Sequence, residues 1–172
     1  MGGAGDEEGG RPTGLTLWTD GSRDESGAVG YAVAWRKGQS WAGRKAHMGY
    51  YQEVYDAECA AIARALGGAA DRAKRHKLGR VRIFTDAQAA LKRMTYDEPG
   101  PGQTYALQAR QAIATLRKRE PAVEIEIRWC PAHKGIPGMR QRTDGKAGGL
   151  RTGRPRCRVA EACLAADIPG TP

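Results

Sequence analysis

In Leu15-Thr16-Leu17-Trp18-Thr19-Asp20-Gly21-Ser22, Leu15 and Leu17 project to one side of an extended chain, and Thr16 and Trp18 to the other. That alternation predicts a strand over residues 15–19. Asp20 falls where the strand is expected to give out into Gly21-Ser22. A carboxylate at that point is mounted on a rigid element and still faces solvent, as catalytic groups usually are. Taken alone, Asp20 is more simply a turn-capping residue. Its weight comes from two further acids downstream in matching places.

Working outward, residues 1–14 are rich in Gly and acid and are expected to be a disordered tail. Residues 28–36 and 39–48 read as two more strands joined by a Lys37-Gly38 hairpin turn, which completes an antiparallel meander. Residues 54–77 read as a helix. Val54, Tyr55, Ile62 and Leu66 lie on its apolar stripe, Gly67-Gly68 weakens or kinks it, a basic run (72–77) forms its end, and Gly79 stops it. A fourth strand (80–85) ends at Asp86, and a short helix (87–94) follows. A second long helix (104–119), with Leu107, Ile113 and Leu116 as its apolar residues, runs to Pro121. Val123, Ile125, Ile127 and Trp129 alternate with Glu124, Glu126 and Arg128, the clearest strand in the chain. A helical crossover between the fourth and fifth strands implies a parallel pair, so the sheet is expected to be mixed and the fold α/β. There are no internal repeats.

Composition agrees with one globular domain: 172 residues, 40% hydrophobic and 27% charged. No apolar run approaches the ~20 residues of a membrane span, and the N-terminus lacks the basic-then-apolar order of a secretory signal. Cys59, Cys130, Cys157 and Cys163 include no CxxC pair. Cys59 and Cys130 are expected to be reduced thiols, which points to an intracellular protein and away from a structural zinc site. The net charge is +9, of which the segment 14–138 carries +7. The basicity therefore belongs to the globular part and favours a polyanionic partner, most simply nucleic acid; a solvated basic face is the bland alternative, which charge alone leaves open.

Glu58 shares the core-facing stripe of its helix, where an acid is costly unless it is paired or metal-bound; the milder reading is a charge serving the helix dipole. Asp86 ends a strand and is expected either to cap the next helix or to carry chemistry. A mixed sheet can set Asp20 and Asp86 side by side with Glu58 above them. Converging carboxylates repel unless cations sit between them. Hard oxygen ligands with open positions suit Mg²⁺ or Mn²⁺, and two such ions ~3.5–4 Å apart are a known arrangement for phosphodiester cleavage. The competing reading is a small-molecule α/β enzyme whose acids are turn and cap residues. No Gly-rich phosphate loop follows a strand here to support it.

Four runs carry a specific resemblance: Thr19-Asp20-Gly21-Ser22, Tyr55-Asp56-Ala57-Glu58-Cys59-Ala60-Ala61-Ile62, Phe84-Thr85-Asp86-Ala87-Gln88-Ala89-Ala90-Leu91, and Trp129-Cys130-Pro131-Ala132-His133-Lys134-Gly135-Ile136-Pro137-Gly138. In this order they resemble the successive motifs of type 1 ribonuclease H. The second and last are most similar to those of RNase H domains in non-LTR retrotransposon reverse transcriptase polyproteins. The resemblance implies a five-stranded mixed sheet, three antiparallel strands then two parallel, flanked by helices, over residues 15–144. It implies a Mg²⁺- or Mn²⁺-dependent endonuclease, using two ions, that cuts RNA in RNA–DNA hybrids. Asp20, Glu58 and Asp86 match the metal ligands, and His133 the mobile histidine that assists proton transfer or product release. Gln88 matches a minor-groove contact, and Gly21 and Ser22 lie where backbone groups meet ribose 2′-hydroxyls. The chain is then a monomer or a fragment of a larger polyprotein.

The pattern breaks after Gly138. The family continues with Asn-Glu-x-Ala-Asp, whose Asp is a fourth ligand and opens a final helix. Here Thr143 stands at the ligand position and Asp144 one residue late. The final helix is expected to be missing or degenerate, and residues 145–172 to be a disordered tail. Met139-Arg140-Gln141-Arg142-Thr143-Asp144-Gly145 can be encoded by ATG AGA CAG CGG ACG GAT GG. Preceded by A and read one base earlier, that string gives Asn-Glu-Thr-Ala-Asp-Gly. The expectation is an out-of-frame tail on a degenerating retroelement, which the gene's codons decide. The loop 97–103 stands where some relatives carry a basic hybrid-binding helix, so hybrid affinity is expected to be weak.

Overall fold

The structure, a computed structural model, describes residues 13–131. His133, Asp144, the final helix and the tail after residue 144 lie outside the described residues, as does the N-terminal tail up to residue 12. The elements run β1 (Thr13–Arg23), β2 (Val29–Lys37), β3 (Ser40–Gly49), α1 (Val54–Arg72), β4 (Leu78–Thr85), α2 (Gln88–Arg93), α3 (Gln103–Arg119) and β5 (Glu124–Trp129). The sheet order is β3-β2-β1-β4-β5. β1–β2 and β2–β3 pair antiparallel, whereas β1–β4 and β4–β5 pair parallel. This is the mixed sheet expected from the element order.

The layers follow from where apolar side chains fall. Leu15, Leu17, Val33, Val81, Ile83 and Ile127 share one face of the sheet with the inner face of α1. That face of α1 is largely alanine (Ala57, Ala60, Ala61, Ala65, Ala69), so the helix sits close to the strands. α3 packs on α1 through Ala106, Ala109, Ile113 and Leu116, an i+3/i+4 series. Leu107, expected on that stripe, points outward and is 54% exposed.

Several boundaries differ from expectation. β1 starts at Thr13 rather than Leu15, taking in two residues assigned to the tail, and runs on to Arg23. Asp20 thus lies within the strand, opposite Ala32, instead of at its end. α1 stops at Arg72 and β4 begins at Leu78, so Gly79 is a strand residue and the basic run 72–77 is mostly the connection. Leu78 is 2% exposed and opposite Thr13; burying it and pairing it with β1 outweighs extending the helix through the basic run. α1 also runs through Gly67-Gly68 without a break, because Leu66, Ala69 and Ala70 around them are buried. Nothing lies within 4 Å of a Cβ added at either glycine. Gly67→Ala and Gly68→Ala are each expected to stabilise the domain by about 0.5–1 kcal/mol, read as a higher urea midpoint at unchanged slope.

Candidate metal centre

The parallel register sets Thr19 opposite Thr85, so the next residues, Asp20 and Asp86, emerge beside each other. Both threonines are buried and spend their hydroxyls locally. Thr19 Oγ1 donates to the Phe84 carbonyl at 3.1 Å, and Thr85 Oγ1 accepts the Ala87 amide at 3.2 Å. The start of α2 thus takes a side-chain bond from Thr85. One side-chain and one backbone hydrogen bond from the end of β5 hold the Thr85-Asp86 main chain in place. Trp129 Nε1–H donates to the Asp86 carbonyl at 3.1 Å, and the Cys130 amide to the Thr85 carbonyl at 2.8 Å.

Glu58 arrives from above, in the second turn of α1. One carboxylate oxygen of each of Asp20, Glu58 and Asp86 can be chosen so that all three lie within 4.8 Å of one another, and all three residues are half-buried. Glu58 is the most perturbed. Burial pushes its carboxyl up to about 8; the Gly21 N–H donating to it pulls the other way, and Asp86 and Asp20 add repulsion. Its Oε2 is buried and has no hydrogen-bond partner. A sealed carboxylate oxygen facing two more carboxylates is an unfavourable arrangement for a protein alone. A hard divalent cation would satisfy it, so this donor set fits Mg²⁺ or Mn²⁺.

Of the other expected residues, Gly21 is buried against α1 with its amide committed to Glu58, so that N–H is not presented to a ligand. Ser22 is exposed next to it. Gln88 is exposed at the first position of α2, two residues past Asp86. Cys59, one residue past Glu58, is a buried free thiol whose pKa burial raises to about 11, which makes it inert. Two positioning groups are not legible in the sequence: the Trp129 indole that anchors Asp86, and the Gly21 amide that anchors Glu58. A tryptophan closing the most regular strand is the available signal for the first.

An RNase H family model matches residues 12–148. No curated protein matches the sequence. Among solved structures, the chain is similar to RNase H1 from the halophilic archaeon Halobacterium salinarum NRC-1, with a TM-score of 0.54 at 19% identity over 70% of this chain and 87% of that one. It is also similar to the N-terminal RNase H domain of rv2228c from Mycobacterium tuberculosis, solved as a fusion with maltose binding protein (TM-score 0.54, 17% identity, 69% and 88% covered). A third is LC11-RNase H1 in complex with RNA/DNA hybrid (TM-score 0.51, 18% identity, 69% and 86% covered). At these identities the structural likeness speaks for the fold, and the family match spans most of the chain: the protein belongs to the RNase H family.

Proposed function

We propose that this domain is a divalent-metal-dependent endonuclease that hydrolyses the RNA strand of RNA–DNA hybrids. The observation that carries the reading is the convergence of Asp20, Glu58 and Asp86, from three separate elements, with the Glu58 Oε2 sealed and unpartnered. Mg²⁺ or Mn²⁺ bound there, one ion or two, would lower the pKa of an attacking water and neutralise charge developing on the leaving oxygen. The chain's own groups do the rest. Asp20 is held within β1 and Asp86 just past the end of β4 beside it, and Glu58 is aimed by the Gly21 amide. Gln88 and Ser22 are exposed; from the resemblance of their motifs, Gln88 is proposed to touch the minor groove and Ser22 to lie near ribose hydroxyls. His133 is proposed to assist proton transfer and Asp144 to approach the cations as a late, loosely held fourth ligand; both assignments rest on the resemblance of their motif. The neighbour solved with an RNA/DNA hybrid supports the substrate class.

A second reading, an inactive nucleic-acid-binding relic of a retroelement polyprotein, is favoured by one observation: Thr143 stands where the family's fourth acid is expected. An end-labelled hybrid separates the two. Cleavage is expected only with Mg²⁺ or Mn²⁺, and Asp86→Asn is expected to lower its rate roughly 10²–10⁴-fold. Cleavage that survives Asp86→Asn rejects the site, while hybrid binding without cleavage in any metal supports the relic.

A further inference from the structure

Thr13, the first described residue, is tied to the connection between α1 and β4. Its amide and its hydroxyl both donate to the Lys77 carbonyl, at 3.0 and 3.1 Å, and it lies opposite Leu78 in the sheet. The chain that precedes Thr13 therefore joins the domain beside this connection. The connection is basic. Arg72, Lys74, Arg75 and Lys77 stand against Asp71, so residues 71–77 carry +3, and all five side chains are exposed. Asp71 is already engaged: the Lys74 hydrogen bond, then the charges of Lys74, Arg44 and Arg75, hold its carboxyl below the usual range. Among the described residues, Arg72, Arg75 and Lys77 form no ion pair.

The helix dipole accounts for Arg72, in the last turn of α1, but its effect fades within that turn, and Lys74, Arg75 and Lys77 lie past it. The run is also remote from the carboxylate cluster, because Arg72 is roughly 21 Å along the helix from Glu58. The segment that joins the domain here is acidic. Residues 1–12 carry −2, Asp6, Glu7 and Glu8 against Arg11. An extended chain covers about 3.3–3.6 Å per residue, so the stretch from Asp6 to Thr13 is long enough to set its carboxylates anywhere between Lys77 and Arg72. Gly9-Gly10 permits the chain to turn back.

We propose that Asp6-Glu7-Glu8 docks on the basic connection 72–77 of the same chain. Opposite charge selects the segment. A tether this short holds it at an effective concentration on the order of millimolar, which a free acidic partner or a second copy would have to exceed. The contacts are surface ion pairs, each weak and screened by salt, so the docking is strongest at low ionic strength. The docked segment covers positive charge that would otherwise collect nucleic-acid phosphates far from the carboxylate cluster. The contact goes beyond hybrid cleavage and does not depend on it.

The test is a double-mutant cycle read by urea unfolding of the full chain in EDTA, at low salt and at about 0.5 M NaCl. Neutralising the segment with Asp6→Asn, Glu7→Gln and Glu8→Gln is expected to raise the unfolding equilibrium constant roughly two- to fivefold at low salt and to leave it unchanged at high salt. In the background of Arg75→Gln with Lys77→Gln, both at exposed positions without ion pairs, the same three substitutions are expected to have no effect at either salt. An equal loss in both backgrounds is general charge repulsion, and no loss at low salt is an undocked segment; either result overturns the proposal. A loss that grows with protein concentration puts the segment on a second copy and also overturns it. So does a duplex DNA whose low-salt affinity falls as far on Arg75→Gln with Lys77→Gln in the parent as in the neutralised variant, because the run is then open to phosphates.

Discussion

Glu58→Gln is expected to make the domain more stable near pH 8 and, in the same protein, to remove its response to Mg²⁺. The carboxyl is raised from 4.5 to about 8, chiefly because burial penalises its charged form. The folded state therefore holds this proton over a range in which the unfolded chain has lost it. Stability from that difference is fully present below about 4.5 and is lost as pH rises through about 8. The amide that replaces the carboxyl carries no charge to desolvate. The gain on substitution should thus be near zero around pH 4.5 and grow to about 2–4 kcal/mol by pH 8, after discounting for the part of the side chain that meets water. Urea unfolding of both proteins at the two pH values measures it. A cation bound only by the folded state adds stability as its concentration passes its dissociation constant. In the parent, added Mg²⁺ should raise the melting temperature, and more so as pH approaches 8, because the Glu58 proton must leave. The variant should show neither effect, and hybrid cleavage should fall with them by a factor on the order of 10³. A variant no more stable than the parent at pH 8 would mean that burial does not strain the Glu58 carboxylate.

Sequence and structure agree where a signal is local and repeated. Strict alternation in 123–129 and in 15–19 marks strands with the right faces, and the order of elements is enough to require a parallel β4–β5 pair. Asp20, Glu58 and Asp86 are individually ambiguous, and the chain order shows only that three strand or helix positions can bring them together. What stays hidden depends on long-range contact. Leu107 reads as core because it is apolar at helical spacing, yet the smaller Ala106 and Ala109 face α1, since a close helix pair selects for small residues at the seam. The basic run 72–77 reads as a helix end because charge suits a C-terminus, but burial of Leu78 decides the boundary. Asp20 reads as terminal because Gly21-Ser22 resembles a turn; the chain stays extended there because Gly21 is opposite Tyr31 and Ser22 opposite Gly30. In each case propensity gives way to packing that no window of sequence contains.

Gly21→Ala is expected to be among the most damaging single-methyl changes in the domain. A Cβ at this position would stand 2.6 Å from the Glu58 amide nitrogen and 2.9 Å from the Ala57 carbonyl carbon. Both are backbone atoms of α1, so no side chain can swing aside, and the helix or the strand must shift. Overpacking of this kind costs about 1–3 kcal/mol, and the upper end applies because the obstruction is main chain. Gly14→Ala in the same strand is the control: nothing lies within 4 Å of its Cβ, and stability should stay within about 0.5 kcal/mol. The functional loss should exceed the loss of stability. The Gly21 amide is the donor that aims the Glu58 carboxylate, so a strand displaced by a few tenths of an ångström loosens the hydrogen bond on which the carboxylate's position depends. Under conditions where the variant remains folded by circular dichroism, Mg²⁺-dependent stabilisation and hybrid cleavage should both be reduced, while Gly14→Ala retains them. If Gly21→Ala unfolds at the same urea concentration as Gly14→Ala and still responds to Mg²⁺, then contact between β1 and α1 is not what brings Glu58 to the two aspartates.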